Sequence, residues 1–230
     1  MKIKNFAFTL SELLIALGVL GILAGLTIPS LAKNIQNKKL SAQYKNTYAE
    51  IKHTIDSQLI LKKTNYLSDT DFGNLNLLFN ETNFAISRYC EQPSDCWKNS
   101  YKKISDKSFI TEASDDVVFT TNNSKSVKLK NGSVIGFAYV DDYPALSFDS
   151  NDSAYGIFKL DVNGDDGPNF LGRDYFAFLV SRKGKIYSYY TLNNQTNNDT
   201  VDKLKDDCIN GELITSCSSY LQKKDWEIDY

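Results

Sequence analysis

Residues 7–32, AFTLSELLIALGVLGILAGLTIPSLA, set the architecture of this chain. Glu12 is the only ionisable side chain in this segment, which otherwise consists mainly of leucine, isoleucine, valine, alanine and glycine. About 20 apolar residues are enough for a helix to span the hydrocarbon core of a bilayer. A carboxylate in such a segment costs roughly 2.5–3.5 kcal/mol on insertion scales, so we expect Glu12 to have a partner there. Lys2 and Lys4 precede the segment and favour a cytoplasmic location for that end.

The segment begins with a recognisable order of residue types. A short basic leader is followed by a small residue (Ala7), an aromatic residue (Phe8), Thr9, and a glutamate four positions after the aromatic. This order resembles the processing site of type IV prepilins and type II secretion pseudopilins. The resemblance implies that residues 1–7 are a leader peptide, removed by a prepilin peptidase between Ala7 and Phe8, and that the new amine is methylated. The apolar helix, residues 8–32, then stays in the chain, unlike the core of an ordinary signal peptide.

The same resemblance implies an assembly role for Glu12. Its carboxylate is expected to pair with the Phe8 amine of a neighbouring subunit, which neutralises both charges as subunits stack into a filament. Before assembly the chain is expected to be a single-pass protein of the inner membrane, with its head in the periplasm or outside the cell. Its expected partners are further copies of itself or of related subunits, the prepilin peptidase and methylase, and the inner-membrane assembly machinery.

Two other interpretations of the apolar segment remain open. Ser30-Leu31-Ala32 has the small residues of an ordinary signal-peptidase site, and cleavage there would release a soluble domain beginning at Lys33. This alternative accounts neither for Glu12 nor for an apolar run longer than a typical signal core. The segment can also be a plain single-pass anchor.

Helical periodicity continues beyond the membrane segment. Between residues 33 and 62, apolar side chains recur mostly at three- and four-residue steps, which is the stripe of an amphipathic helix. The stripe consists of Ile35, Leu40, Tyr44, Tyr48, Ile51, Ile55 and Leu59. We therefore predict one helix from Phe8 to about Lys62, on the order of 80 Å long, whose amphipathic half packs on a globular head.

The head, residues 63–230, is predicted to contain an antiparallel sheet. Apolar spacing predicts a second helix from Asp71 to about Arg88. Asn131-Gly132 between two β-rich runs is a strong hairpin signal, and Lys183-Gly184 marks another tight turn. The predicted strands cover residues 117–121, 127–130, 133–140, 155–162, 175–181 and 186–191. The fold class is therefore α+β, a long N-terminal helix packed on an antiparallel β-sheet head, which is the ladle that the pilin resemblance also implies.

Four cysteines lie in the head. An even number in an exported chain indicates disulfides. Four cysteines allow three connectivities, of which proximity favours Cys90–Cys96 and Cys208–Cys217. A zinc site is the alternative, but neither pair has the spacing of a zinc knuckle and no histidine is near. The second pair lies in the C-terminal region, residues 199–230, and resembles the disulfide-closed loop of many pilins.

Residues 161–174, DVNGDDGPNFLGRD, contain the clearest pattern of candidate metal ligands in the head. Oxygen ligands at alternate positions, with glycines that let the loop fold around an ion, are what Ca²⁺ requires. The expected ligands are Asp161, Asn163, Asp165 and Asp174, with Asp166 as a substitute for Asp165. The segment also resembles a calcium loop of pseudopilin-like proteins. The alternative is an Asp/Gly-rich turn that holds no metal, in which Asp174 caps local backbone.

Composition and the motifs that are missing limit the classes of function to be considered. The chain has 230 residues, a net charge of −2 and one histidine, His53, so neither a nucleic-acid partner nor a histidine-based site is indicated. No nucleophile elbow or phosphate loop occurs, and we expect no enzyme. We expect a structural subunit of a type IV pilus-like filament or of a type II secretion pseudopilus, assembled through its N-terminal helix. The alternative is a membrane-tethered or secreted calcium-stabilised binding module that does not polymerise.

Overall fold

A computed structural model describes residues 9–79, 84–92, 95–98, 100–110, 123–140, 147–149, 152–187, 200–211 and 214–230. The predicted cleavage point between Ala7 and Phe8 and the predicted strand at 117–121 lie outside these ranges. Within them the chain has an α+β fold, with one long N-terminal helix and an antiparallel sheet. The predicted fold class is confirmed at this level.

The elements follow one another along the chain in a helix–sheet–helix order. They are α1 (Leu10–Lys62), two 3₁₀ turns (Leu67–Asp69 and Asp71–Gly73), β1 (Ile86–Cys90), β2 (Ser124–Leu129), β3 (Val134–Tyr139), β4 (Ser147–Asp149), β5 (Asp152–Asp161), β6 (Tyr175–Ser181), β7 (Ile186–Tyr187), α2 (Val201–Asn210) and α3 (Ile214–Lys223). Two helices thus follow the sheet, and the sequence analysis did not predict them.

Helix α1 is unbroken over 53 residues and continues through Pro29. In its second half the apolar stripe packs on the sheet. Tyr44 lies against Phe176 with ring centroids 4.1 Å apart, and Tyr48 meets Phe178 at 5.2 Å. The buried members of the stripe are Leu40, Tyr44, Ile51 and Ile55, whereas Ile35 is exposed. The predicted helix is confirmed over its described residues, and so is its packing against the sheet.

The sheet has the strand order β1-β2-β3-β5-β6-β7, and β4 pairs with β5 off this path. Every pairing between these strands is antiparallel. The Asn131-Gly132 turn joins β2 to β3, as predicted, with Gly132 at φ +93°. The Lys183-Gly184 turn joins β6 to β7, which pairs Val180 with Ile186. Both hairpin predictions are confirmed.

The predicted helix from Asp71 to about Arg88 is wrong. The described residues of this stretch form a 3₁₀ turn, further turns and then strand β1. The Asn74 side chain accepts a hydrogen bond from the backbone N–H of Asn76, and this local bond competes with helical pairing. The apolar side chains Phe72, Leu78 and Phe79 are nevertheless buried, because the turns direct them into the core.

Both favoured disulfides are present. Cys90 is bonded to Cys96, and Cys208 is bonded to Cys217. The second bond joins α2 to α3 and is fully buried. After α3 the C-terminal tail turns back, so that Trp226 lies against Tyr44 and Tyr48 of α1.

Candidate functional site

The first candidate site is the start of α1. Thr9 is the N-cap residue, and its hydroxyl accepts a hydrogen bond of 3.2 Å from the backbone N–H of Glu12. In return, Oε2 of Glu12 accepts bonds of 2.8 Å from both the backbone N–H and the hydroxyl of Thr9. This reciprocal arrangement is a capping box. Among the described residues, no partner contacts Oε1 of Glu12, so that oxygen is free to accept a bond from another group.

The helix that carries Glu12 is unpartnered over its first half. In the described part of the chain, α1 is the one helix long and apolar enough to cross a membrane, and its most apolar stretch has no buried residue. Leu10, Leu26 and Ile22 are 75%, 72% and 66% exposed. A continuous apolar surface of this length is sufficient to span the hydrocarbon core of a bilayer.

The second candidate site is the loop between β5 and β6. Asp161 ends β5 and Asp174 directly precedes β6, so the two residues lie at the two ends of the connecting loop. The backbone N–H of Val162 donates to the carbonyl of Asp174 at 2.8 Å and holds these two ends together. Both carboxylates are fully buried.

Asp161 organises the start of the loop. Its Oδ1 accepts hydrogen bonds from the backbone N–H groups of Gly164 at 2.7 Å and Asn163 at 3.2 Å, and its Oδ2 accepts one from the Tyr101 hydroxyl at 2.6 Å. Burial raises the pKa of Asp161 to about 7, although the bond from Tyr101 opposes the shift. The pKa of the Tyr101 hydroxyl is also raised, first by its burial and then by the charge of Asp161.

Asp174 organises the end of the loop. Its carboxylate accepts bonds from the backbone N–H groups of Asn169 and Phe170. Burial raises the pKa of Asp174 to about 6, and these two backbone bonds limit the rise. Asp174 therefore caps local backbone, as the metal-free alternative expected, and its negative charge contributes to the raised pKa of Asp161.

The remaining expected ligands divide between the inside and outside of the loop. Asp165 is 69% exposed on the surface and pairs with Lys128 and, at 3.7 Å, with Lys98. By contrast, the side-chain oxygens of Asn163 and Asn169 are buried and have no hydrogen-bond partner within the part of the chain that the structure describes. Sequence reasoning did not name Asn169 or Tyr101. Among the described residues, no group of three or more His, Cys, Asp or Glu side chains is placed to hold a metal ion.

The loop also connects the sheet to α1. The Arg173 guanidinium donates to Oδ1 of Asn37 at 2.8 Å and to Oε1 of Gln36 at 3.3 Å. The carbonyl of Gly172 accepts a bond of 2.5 Å from the hydroxyl of Tyr230 in the tail. The loop, the tail and α1 therefore meet at the point where α1 leaves its exposed apolar half.

Comparisons with known proteins give no match. No family model matches the chain, and neither the curated proteins nor the solved structures contain a significant relative.

Proposed function

We propose that this protein is the structural subunit of a type IV pilus-like filament or of a type II secretion pseudopilus. One observation carries the proposal: α1 is a single unbroken helix whose second half is packed into the head and whose first half is apolar and exposed. A bilayer covers that surface in the monomer, and the same surface is available to helices of other copies. A contact in which two different surfaces of the helix meet, repeated from copy to copy without closing into a ring, extends into an open helical filament.

The proposal gives Glu12 its role. In the monomer its Oε2 is engaged by Thr9, so the carboxylate enters the membrane with part of its hydrogen bonding already satisfied. The second oxygen then accepts the amine of Phe8 from a neighbouring copy. An ionised donor makes a stronger bond than the neutral ones of Thr9, so pairing favours assembly and sets the axial register.

The simplest test of this function is the N-terminal mass of the mature chain purified from its native host. We expect a terminus at Phe8 that carries one methyl group, because the segment keeps the order of residues that prepilin peptidases process. A terminus at Lys33 would mean that the apolar segment is a discarded signal, and the filament proposal would then be wrong. A chain that still carries its first seven residues would indicate a plain anchor.

The proposal includes a structural Ca²⁺ in the loop between β5 and β6, with a revised ligand set. Two buried carboxylates, Asp161 and Asp174, share the loop with two buried amide oxygens, those of Asn163 and Asn169, that accept no hydrogen bond from any described residue. Oxygen donors of this kind suit Ca²⁺. Asp165 lies outside the set because it pairs with lysines on the surface. A bound Ca²⁺ would stabilise the conformation of the loop. Because Arg173 in this loop bonds to Asn37 and Gln36, the ion would also stabilise the contact between the loop and α1.

We expect the head to lose stability as the pH rises from about 4 to about 7 without Ca²⁺. The folded-state pKa values of Asp161 and Asp174 lie above the usual value of 3.8, so in this range the folded chain holds protons that the unfolded chain releases. The free energy of unfolding therefore falls, on the order of 1 kcal/mol per pH unit for each carboxyl, and levels off above pH 7. Millimolar Ca²⁺ should remove most of this fall, because the cation stabilises the ionised carboxylates.

The measurement is the unfolding midpoint of the full chain in detergent from pH 4 to pH 8, with Ca²⁺ or with chelator. In Asp161→Asn, Ca²⁺ should no longer raise the unfolding midpoint, and the dependence of the midpoint on pH should be the same with Ca²⁺ and with chelator. Asp165→Asn is the matched control and should keep both. A wild-type midpoint that is insensitive to Ca²⁺ at pH 8 would contradict the metal site, and loss of the response in Asp165→Asn would contradict the revised ligand set.

A further inference from the structure

A groove of about 700 Å³ runs between α1 and the C-terminal tail, next to the end of the apolar segment. Side-chain hydrogen bonds from α1 hold the tail alongside it. The side-chain amide of Asn37 donates to the carbonyl of Ile228 at 3.1 Å, and the hydroxyl of Ser41 donates to the carbonyl of Trp226. The α1 side of the groove is formed by Leu31, Asn34, Ile35, Asn37, Lys38, Ser41, Ala42 and Lys45. Of these, Leu31, Ile35, Lys38, Ala42 and Lys45 form one stripe along the helix. The groove is therefore a continuation of the membrane-facing surface of α1.

The polarity of this stripe changes along the helix. Leu31 and Ile35, at its membrane end, are 60% and 61% exposed although they are apolar. Lys38 and Lys45 follow at the other end, with the small Ala42 between them. Helical side chains lean toward the N-terminus of their helix, so we expect the long side chains of both lysines to reach back toward the membrane.

The groove carries charges of both signs. Asp225 and Glu227 line it from the tail, opposite the two lysines of α1. Among the described residues, Lys38, Lys45 and Asp225 form no ion pair with any other side chain. A ligand that fits this arrangement has an apolar part, an anionic group and a cationic group.

We propose that this groove binds a phospholipid with a phosphate and an ammonium group, phosphatidylethanolamine, from the leaflet that faces the head. The acyl chain lies along Leu31 and Ile35, the phosphate binds Lys38, and the ammonium group donates to the carboxylates of Asp225 and Glu227. The position of Lys38 along α1 agrees with that of the lipid headgroup, because Lys38 lies seven residues, or about 10 Å, beyond Leu31. Its side chain reaches back into the headgroup layer, which extends roughly 5–7 Å beyond the hydrocarbon.

A second copy of the chain is the competing occupant. The continuity of the groove with the apolar segment favours lipid, because any copy inserted in a bilayer has lipid at this height before it meets a partner. The inference rests on the membrane insertion of α1, which is part of the proposed function, and not on polymerisation. Glu12→Gln is therefore expected to leave lipid binding unchanged, and the two proposals can fail separately.

The experiment is native mass spectrometry of the full chain in detergent, after incubation with phosphatidylethanolamine, phosphatidylcholine or phosphatidylglycerol at equal concentrations. We expect one phosphatidylethanolamine to be retained per chain, in preference to the other two lipids. Phosphatidylcholine lacks the N–H donors for the tail carboxylates, and phosphatidylglycerol lacks the cation. Each ionic hydrogen bond corresponds to about a tenfold change in affinity, so Lys38→Gln and Asp225→Asn should each reduce retention by about that factor.

Lys52→Gln is the matched control, because Lys52 is exposed on α1 but lies outside the groove. Asp225 has φ +49°, a conformation that asparagine tolerates, so Asp225→Asn is expected to fold even if a substitution on α1 does not. Equal retention of the three lipids would overturn the proposal. So would equal loss in Lys52→Gln, retention of phosphatidylglycerol in place of phosphatidylethanolamine, or a lipid-free dimer in which the lysine and aspartate variants weaken only dimerisation.

Discussion

Glu12→Gln is expected to reduce filament assembly by at least about tenfold while leaving processing, membrane insertion and head stability unchanged. Glutamine keeps the length of the side chain and can still bond to Thr9, but it cannot form an ionic pair with the amine of Phe8. An ionic hydrogen bond is worth about 1.5–3 kcal/mol, and this amount is lost at every subunit contact. The measurement is the amount of filament sheared from cells, compared with the membrane-bound pool by immunoblotting.

Glu50→Gln is the matched control for this prediction, because it makes the same chemical change on α1 at a partly buried position beyond the apolar segment. We expect it to assemble normally. If Glu12→Gln assembles as well as the wild type, pairing with Phe8 does not drive assembly. If the wild-type chain is cleaved before Phe8 but never forms filaments, the alternative of a tethered binding module gains support and the subunit proposal loses it.

Gly172→Ala is expected to cost about 2–5 kcal/mol of the free energy of unfolding, from two separate causes. Gly172 has φ +79°, which costs a residue with a Cβ about 1–2 kcal/mol. The added Cβ would also lie 2.6 Å from the sulfur of Cys208 and 2.7 Å from the hydroxyl oxygen of Tyr230. Overpacking of this kind typically adds about 1–3 kcal/mol. The measurement is chemical unfolding of the full chain in detergent, followed by tryptophan fluorescence.

Gly132→Ala separates the two causes. Gly132 also has a positive φ, +93°, but a Cβ built there meets nothing within 4 Å. We therefore expect only the backbone cost, about 1–2 kcal/mol. Equal losses in the two variants would mean that the site accommodates the extra Cβ at Gly172, and the predicted overpacking cost would then be wrong.

The long helix and the hairpins were predictable because their signals are local. Apolar residues at helical spacing identify the buried stripe of α1, and Asn131-Gly132 supplies the positive φ that a tight turn needs. Helices α2 and α3 were missed, although Thr200 caps the first and Gly211 ends it in the left-handed conformation. These capping signals were present in the sequence. The predicted helix from Asp71 failed because side-chain hydrogen bonds in the Asn-rich turn outweighed apolar spacing.

The candidate loop shows where sequence reasoning stops. Alternating oxygen donors identified residues 161–174, and two of the expected ligands, Asp161 and Asp174, are buried together. The exclusion of Asp165 depends on Lys128, which lies on strand β2. The inclusion of Asn169 depends on its buried amide oxygen. Spacing within the loop contains no information about either, because both follow from how β2 and the loop pack.

The sequence alone therefore established the apolar segment with its single carboxylate, the helix that continues from it, the hairpin turns and the class of fold. These features depend on residues close together in the chain, whose spacing is fixed by the geometry of helix and strand. Only tertiary packing placed the Arg173 guanidinium on Asn37, the tail along α1, and a groove with charges of both signs beside the membrane segment. Each of these contacts joins residues more than 100 positions apart, and no local pattern specifies where such residues meet.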